Sequence, residues 1–280
     1  MASATFYYHR GIPAQQQVVN ISANAKKHQV MIYNILNGDS LAYSFPDSKI
    51  EGDIIVVREG LIDGELSGND LQAFWHSRAQ FMGLSEAEYH DKVASEFEKI
   101  MNVPPDSEFN LWFEYDLFCQ VNMWFVITLI NTFSAKKNVY AVNTSYLDRG
   151  NKHFWNGFGP ANSSQLQVCF ADRILLNNAD LQLGQALWTA YKENNFEELI
   201  RLSKNQSIAF PYLQEVVNAH IDRFPQDGTM GRPEKVIADI AKNVSTDFHK
   251  VFKEFWNRES IYGFGDTHLK RLYDKVMHHR

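Results

Sequence analysis

Several side chains able to do chemistry stand where an extended run gives way to polar turn residues. Asn37-Gly38-Asp39-Ser40 follows QVMIYNIL at 29–36, Arg58-Glu59-Gly60 follows DIIVV at 53–57, and Glu114 and Asp116 follow the apolar run Leu111 to Phe113. Paired carboxylates can act as general acid and base, or hold a hard cation through oxygen, and an Arg can hold an anionic group. The expected catalytic set is therefore Asp39, Glu59, Glu114 and Asp116. The expected ligand-binding set is Asn37, Gly38, Ser40, Arg58, Arg78 and Gln120. No His/Cys spacing fits zinc, and neither a phosphate-binding glycine loop nor a dinucleotide fingerprint occurs, so no metal ligands are assigned. Mg²⁺ on Glu59, Glu114 and Asp116 is the single cofactor expectation, as a minority reading beside that of solvated strand-end acids.

These residues need elements to position them. Strands are expected at 29–36, 53–57, 111–113 and 139–143, with helices near 69–81 and 85–101. Ser85 and Glu88 make a capping box, and Pro104-Pro105 closes the unit. The stretch from Leu117 to Phe133 is mostly apolar and too long for a strand, so it reads as a buried helix. Asp116 caps it, Cys119 lies in its first turn as a small packed residue, and Gln120, Trp124, Thr128 and Asn131 form a polar stripe. Strand and helix alternating in this way predict a Rossmann-like, mostly parallel sheet over 29–165, with the acids gathered at its carboxyl edge.

Residues 1–28 show little periodicity and read as an extension. The run 144–164, with Arg149, Lys152, His153, Trp155 and Phe158, reads either as a binding loop or as a plain surface crossing. Helices near 181–192 and 196–203 connect, over 166–208, to a last unit at 209–280. There helices at 211–224, 232–242 and 246–258 precede IYGFG at 261–265, which reads as a hairpin or wing, and a final helix. That order predicts a winged-helix-like domain, with Lys250, Lys253 and Arg258 on its third helix.

The 280 residues carry a net charge of −6, with 45% apolar and 21% charged residues, a globular composition that does not support a surface built for nucleic acid. Cys119 and Cys169 are the two cysteines, so no disulfide framework is required and a reducing cytoplasm is expected. Leu117 to Phe133 falls short of the ~20 apolar residues that cross a bilayer, so no membrane partner is expected.

Asn37-Gly38-Asp39-Ser40-Leu41 is similar to the nucleophile block of the GDSL hydrolases. No His here has an Asp three residues before it, however, so that family's general base has no counterpart. A wider resemblance is carried by NILNGDSLA at 34–42, IEGDIIVVREGLIDGEL at 50–66, FWHSRAQF at 74–81, LWFEYDLFCQVNMWF at 111–125, IDRFPQDGTMGRPEKV at 221–236 and IYGFGD at 261–266. Together these resemble the bacterial domain-of-unknown-function family 1835 (DUF1835), in its full-length type with a helical C-terminal half. The resemblance implies a cytoplasmic bacterial protein and brings no assigned chemistry. Its motif positions fall on Asn37, Gly38, Asp39, Arg58, Glu59, Arg78, Glu114, Asp116, Gln120 and Asn122.

Two functions are expected from these residues. The first is an α/β ligand-binding domain, or an enzyme, for a phosphate-bearing or nucleotide-like small molecule. The second is a ligand-responsive regulator whose C-terminal domain contacts nucleic acid or protein. Oligomeric state is left open.

Overall fold

The structure is a computed structural model that describes residues 30–134, 137–144, 157–225 and 230–278. The expected extension at 1–28, and Arg149, Lys152, His153 and Trp155, lie outside the described residues. The first element of the described residues is β1 (Ile32–Asn37), whose Ile35 and Leu36 are both fully buried and point to opposite faces. A short helix α1 (Asp39–Ser44) and one 3-10 turn return it to β2 (Asp53–Val57). Helix α2 (Leu71–Met82) is capped by Asp70, which accepts the Ala73 N–H at 2.8 Å. The expected Ser85–Glu88 box starts α3 (Glu86–Tyr89), which continues through a π turn into α4 (Ser95–Met101).

Strand β3 (Ser107–Trp112) starts four residues before the expected apolar run. The polar Ser107 and Asn110 in it are buried, so alternation alone understates its length. Helix α5 (Leu117–Phe133) has the expected bounds and leads to β4 (Lys137–Val142). Helix α6 (Ser163–Ala171) and the short strand β5 (Ile174–Leu175) follow.

The sheet order is β2-β1-β3-β4-β5, with β1 to β4 parallel and β5 antiparallel on the edge. The order reverses between β1 and β3, the position at which open α/β sheets receive ligands at the carboxyl ends of their strands. Ile35, Ile55, Leu111 and Phe113 belong to the core shared with α2, α4 and α5, whereas Leu36, Trp112 and Val142 pack with Leu41, Phe45 and Leu166 on the other side. Helices thus cover both faces.

Helix α7 (Asn178–Lys192) lies along α5, and α8 (Phe196–Ser203) and α9 (Leu213–Asp222) follow it. Helices α10 (Arg232–Asn243), α11 (Phe248–Glu259) and α12 (Asp266–His278) complete the chain. Val216, Ile237, Phe255 and Val276 from these helices belong to the same apolar cluster as Ile35 and Leu111 of the sheet. The expected hairpin or wing at 261–265 is corrected by the structure. Ser260–Tyr262 is a 3-10 turn, ended by Gly263 in the left-handed region at φ 63°, and no strand follows it among the described residues. Burial is the physical reason: Tyr262 and Phe264 stack at 5.1 Å and fill the core instead of extending into solvent. Among the described residues no helix is long and apolar enough to cross a membrane.

Candidate functional site

At the β1/β3 reversal point the first two turns of α5 gather polar groups from three strand ends. Asp116 accepts the Cys119 N–H at 3.0 Å, so it caps α5 as expected. Its position also sets its chemistry. Asp116 is buried, and desolvation followed by the nearby charge of Glu114 pushes its carboxyl up to about 7, against the opposing effect of its hydrogen bonds from Cys119. Both protonation states are then populated near neutral pH.

Glu114 sits beside it on the turn after β3. One of its oxygens accepts the Phe158 N–H at 3.1 Å and the other accepts the Cys119 thiol proton at 3.0 Å. The Gln120 amide donates to the Glu114 carbonyl at 2.7 Å, which fixes the turn. The Asn37 amide donates to Cys119 Sγ at 3.0 Å, and its carbonyl oxygen accepts from Asn122 at 2.9 Å. Asn122 also donates to the Glu59 carbonyl at 2.7 Å and accepts the Leu61 N–H at 3.2 Å. Asn37, Cys119, Glu114 and Asn122 are therefore one network tying β1, β2 and β3 to α5.

Two glycines let the backbone approach these carboxylates. A Cβ at Gly263 would lie 2.0 Å from Asp116 Oδ1, and one at Gly157 would lie 2.6 Å from Glu114 Oε1. The IYGFG turn thus packs directly against Asp116, and the 157–158 backbone packs against Glu114.

The other expected residues separate from this pair. Glu59 and Arg78 form a buried two-point ion pair, Nε–Oε1 and Nη2–Oε2 both at 2.8 Å. Glu59 further accepts from the Tyr89 hydroxyl at 3.0 Å and the Gly60 N–H at 2.7 Å, while Arg78 donates to the carbonyls of Asp63, Glu65 and Gly60. Their polar atoms are matched within the protein, so this pair braces the turn after β2. Asp39 accepts from Arg58 at 2.8 Å on the half-exposed rim, and Arg58 also reaches Glu96 at 3.4 Å. Gly38 has φ 90° and open space where a Cβ would project, and Ser40 is exposed beside it.

Of the expected polar stripe, Gln120 alone reaches the site. Thr128 bonds back to the Trp124 carbonyl at 2.9 Å, and Asn131 bonds to Gln185 at 2.7 Å. On α11, Arg258 is engaged by Glu254 and Asp239.

Ligand atoms of Glu114, Asp116 and Cys119 lie within 4.8 Å of one another, a group able to receive a divalent cation. Glu59 of the expected Mg²⁺ set is not among them. Cys119 and Asn122 are the residues that sequence reasoning left out of the site. Spacing is one signal for them, since 116, 119 and 122 fall on one side of the helix, and Asn122 is also among the positions of the DUF1835 resemblance. The Cys119 thiol is pushed well above its usual value by burial and by Asp116 and Glu114, so it stays protonated as a hydrogen-bond relay and is not a thiolate nucleophile.

Fold and site together define a mixed α/β protein with a carboxylate pair at the reversal point of a mostly parallel sheet. No protein-family model, curated protein or solved structure matches the chain.

Proposed function

We propose that this chain is a Rossmann-like α/β protein that binds a small polar molecule at the β1/β3 reversal point and moves a proton there through Asp116 and Glu114. The observation that carries the reading is a buried carboxyl held at about 7 beside a second carboxyl, at the place where open α/β sheets receive ligands. A group titrating near neutral pH is suited to general acid–base work, because it can both take and return a proton. Asn37 supports the pair from β1 and Gln120 sets the turn that carries Glu114.

A phosphate-bearing or nucleotide-like molecule reaches this site in one of two ways. A divalent cation on Glu114 and Asp116 can bridge to its phosphate oxygens, or the phosphate can exchange with Asp39 for the half-exposed Arg58. The resemblance to DUF1835 covers Asn37, Gly38, Asp39, Glu114 and Asp116 without assigning them a chemistry, and Ser40 joins them for its exposure beside Gly38. The test is a thermal-shift screen of nucleotides and sugar phosphates, with and without Mg²⁺ or Mn²⁺, on the parent chain, Glu114→Gln and Asp116→Asn. A ligand at 100 times its dissociation constant stabilises the parent by ~2.7 kcal/mol. Loss of that shift in both variants supports the reading; an equal shift in all three removes it.

A further inference from the structure

Two cavities open side by side between the 61–66 turn after β2 and the C-terminal helices. The larger has a volume of about 420 Å³ and is walled by Phe224, Phe264, His268, Arg271 and Lys275. The smaller, about 290 Å³, reaches Tyr191, Lys192 and His220. Asp63, Arg223 and Phe224 line both, so they are chambers of one cleft. Its size falls in the range of about 300–1,000 Å³ typical of small-molecule sites.

The cleft has a polarity. Arg271 is matched by Asp63 at 3.2 Å and Lys275 by Glu234 at 2.6 Å. Among the described residues Arg223 has no carboxylate within ion-pair distance, and its guanidinium lies 5.9 Å from the ring centres of both Phe224 and Phe264. His268 registers the resulting field. Burial lowers its affinity for a proton, and the charges of Arg271, Arg223 and Arg78 act in the same direction, opposed by Asp63. The Arg271–Asp63 pair is itself more than a third exposed on both sides, so it can be exchanged for an incoming anion at low cost.

The smaller chamber holds an independent sign of an absent partner. His220 is 2% exposed, and among the described residues neither of its ring nitrogens has a hydrogen-bond partner. Its ring is held by Tyr191 at 4.5 Å, Phe224 at 5.3 Å and Phe196 at 5.7 Å. Buried polar atoms left unmatched are unfavourable, and each calls for an explanation such as a ligand. Burial, then the charge of Arg223, pushes His220 down to about 3, so it is neutral and offers one donor and one acceptor.

We propose that this cleft is a second ligand site, separate from the sheet-end carboxylates, for a small organic anion bearing a flat ring. The anionic group sits on Arg223 and Arg271, the ring packs against Phe224 and Phe264, and His220 meets a polar edge of the ring. Phosphate and carboxylate anions share this chemistry, so both are tested. The full chain is titrated calorimetrically with adenosine 5′-monophosphate and with indole-3-acetate, alongside adenosine, which lacks the charge, and ribose 5-phosphate, which lacks the ring.

Saturable binding of at least one ring-bearing anion is expected. Removal of either the charge or the ring weakens it about tenfold or more, and so does Arg223→Gln, each costing one charge-assisted or stacking contact. Arg271→Gln, at a more exposed position, gives the same direction should Arg223→Gln fail to fold. Glu114→Gln removes any phosphate binding at the sheet-end carboxylates and leaves the Arg223-dependent binding at unchanged affinity, which separates the two sites. Absence of binding by both ring-bearing anions overturns the proposal. So does an affinity insensitive to both Arg substitutions, or a loss of the Arg223-dependent binding that follows Glu114→Gln.

Discussion

Asp116 carries the clearest consequence at the scale of single residues. Its folded value of about 7 lies above the ~3.9 of an unfolded Asp, so the folded state holds the proton more tightly. The stability this contributes is present below about pH 4 and is lost as pH rises through 7. Asp116→Asn keeps a good cap and removes the cost of ionising the buried group. Urea denaturation is expected to find the variant near parity with the parent at pH 4 and more stable at pH 8, by at most on the order of 4 kcal/mol. The Glu59–Arg78 pair behaves oppositely. Arg78→Met strands a buried carboxylate and is expected to cost roughly 3–5 kcal/mol in the same assay. The sequence made Glu114 and Asp116 visible because they interrupt an apolar run, but it placed Arg78 among the ligand-binding residues, where the structure buries it against Glu59. Its burial comes from the 61–66 turn folding over α2, which no local pattern encodes.

Helices were the most legible elements, since caps such as Asp70, Ser85 and Asp116 stand at the expected starts. Strands were less so, because β3 contains buried polar residues and β5 is only two residues long. The IYGFG segment misled because aromatic residues around glycines suit a hairpin as well as a buried turn. Its role in the structure is testable. Gly263→Ala places a Cβ against Asp116 at a positive φ, so it is expected to lower stability by more than ~1–2 kcal/mol. Alanine at Gly265, where a Cβ meets open space, is expected to have little effect in a parallel denaturation series.

Across the whole molecule one apolar cluster extends from Ile35 in the sheet to Val276 in α12. The helical half therefore braces α5, and through Gly263 it touches Asp116 directly. Calorimetric unfolding is expected as one transition, monitored identically by fluorescence and circular dichroism. Two separated transitions would show that the halves unfold independently. The site assembles only at this scale: Asn37, Glu59 and Glu114 come from three strand ends, and the sheet order that joins them was not written in any one motif. The most direct measurement is an NMR titration of the Asp116 side-chain carboxyl in the parent and in Glu114→Gln. A midpoint near 7 that moves downward when the Glu114 charge is removed is expected. A midpoint at the ordinary ~3.9, unmoved by that substitution, would contradict a proton-handling pair at the β1/β3 reversal point.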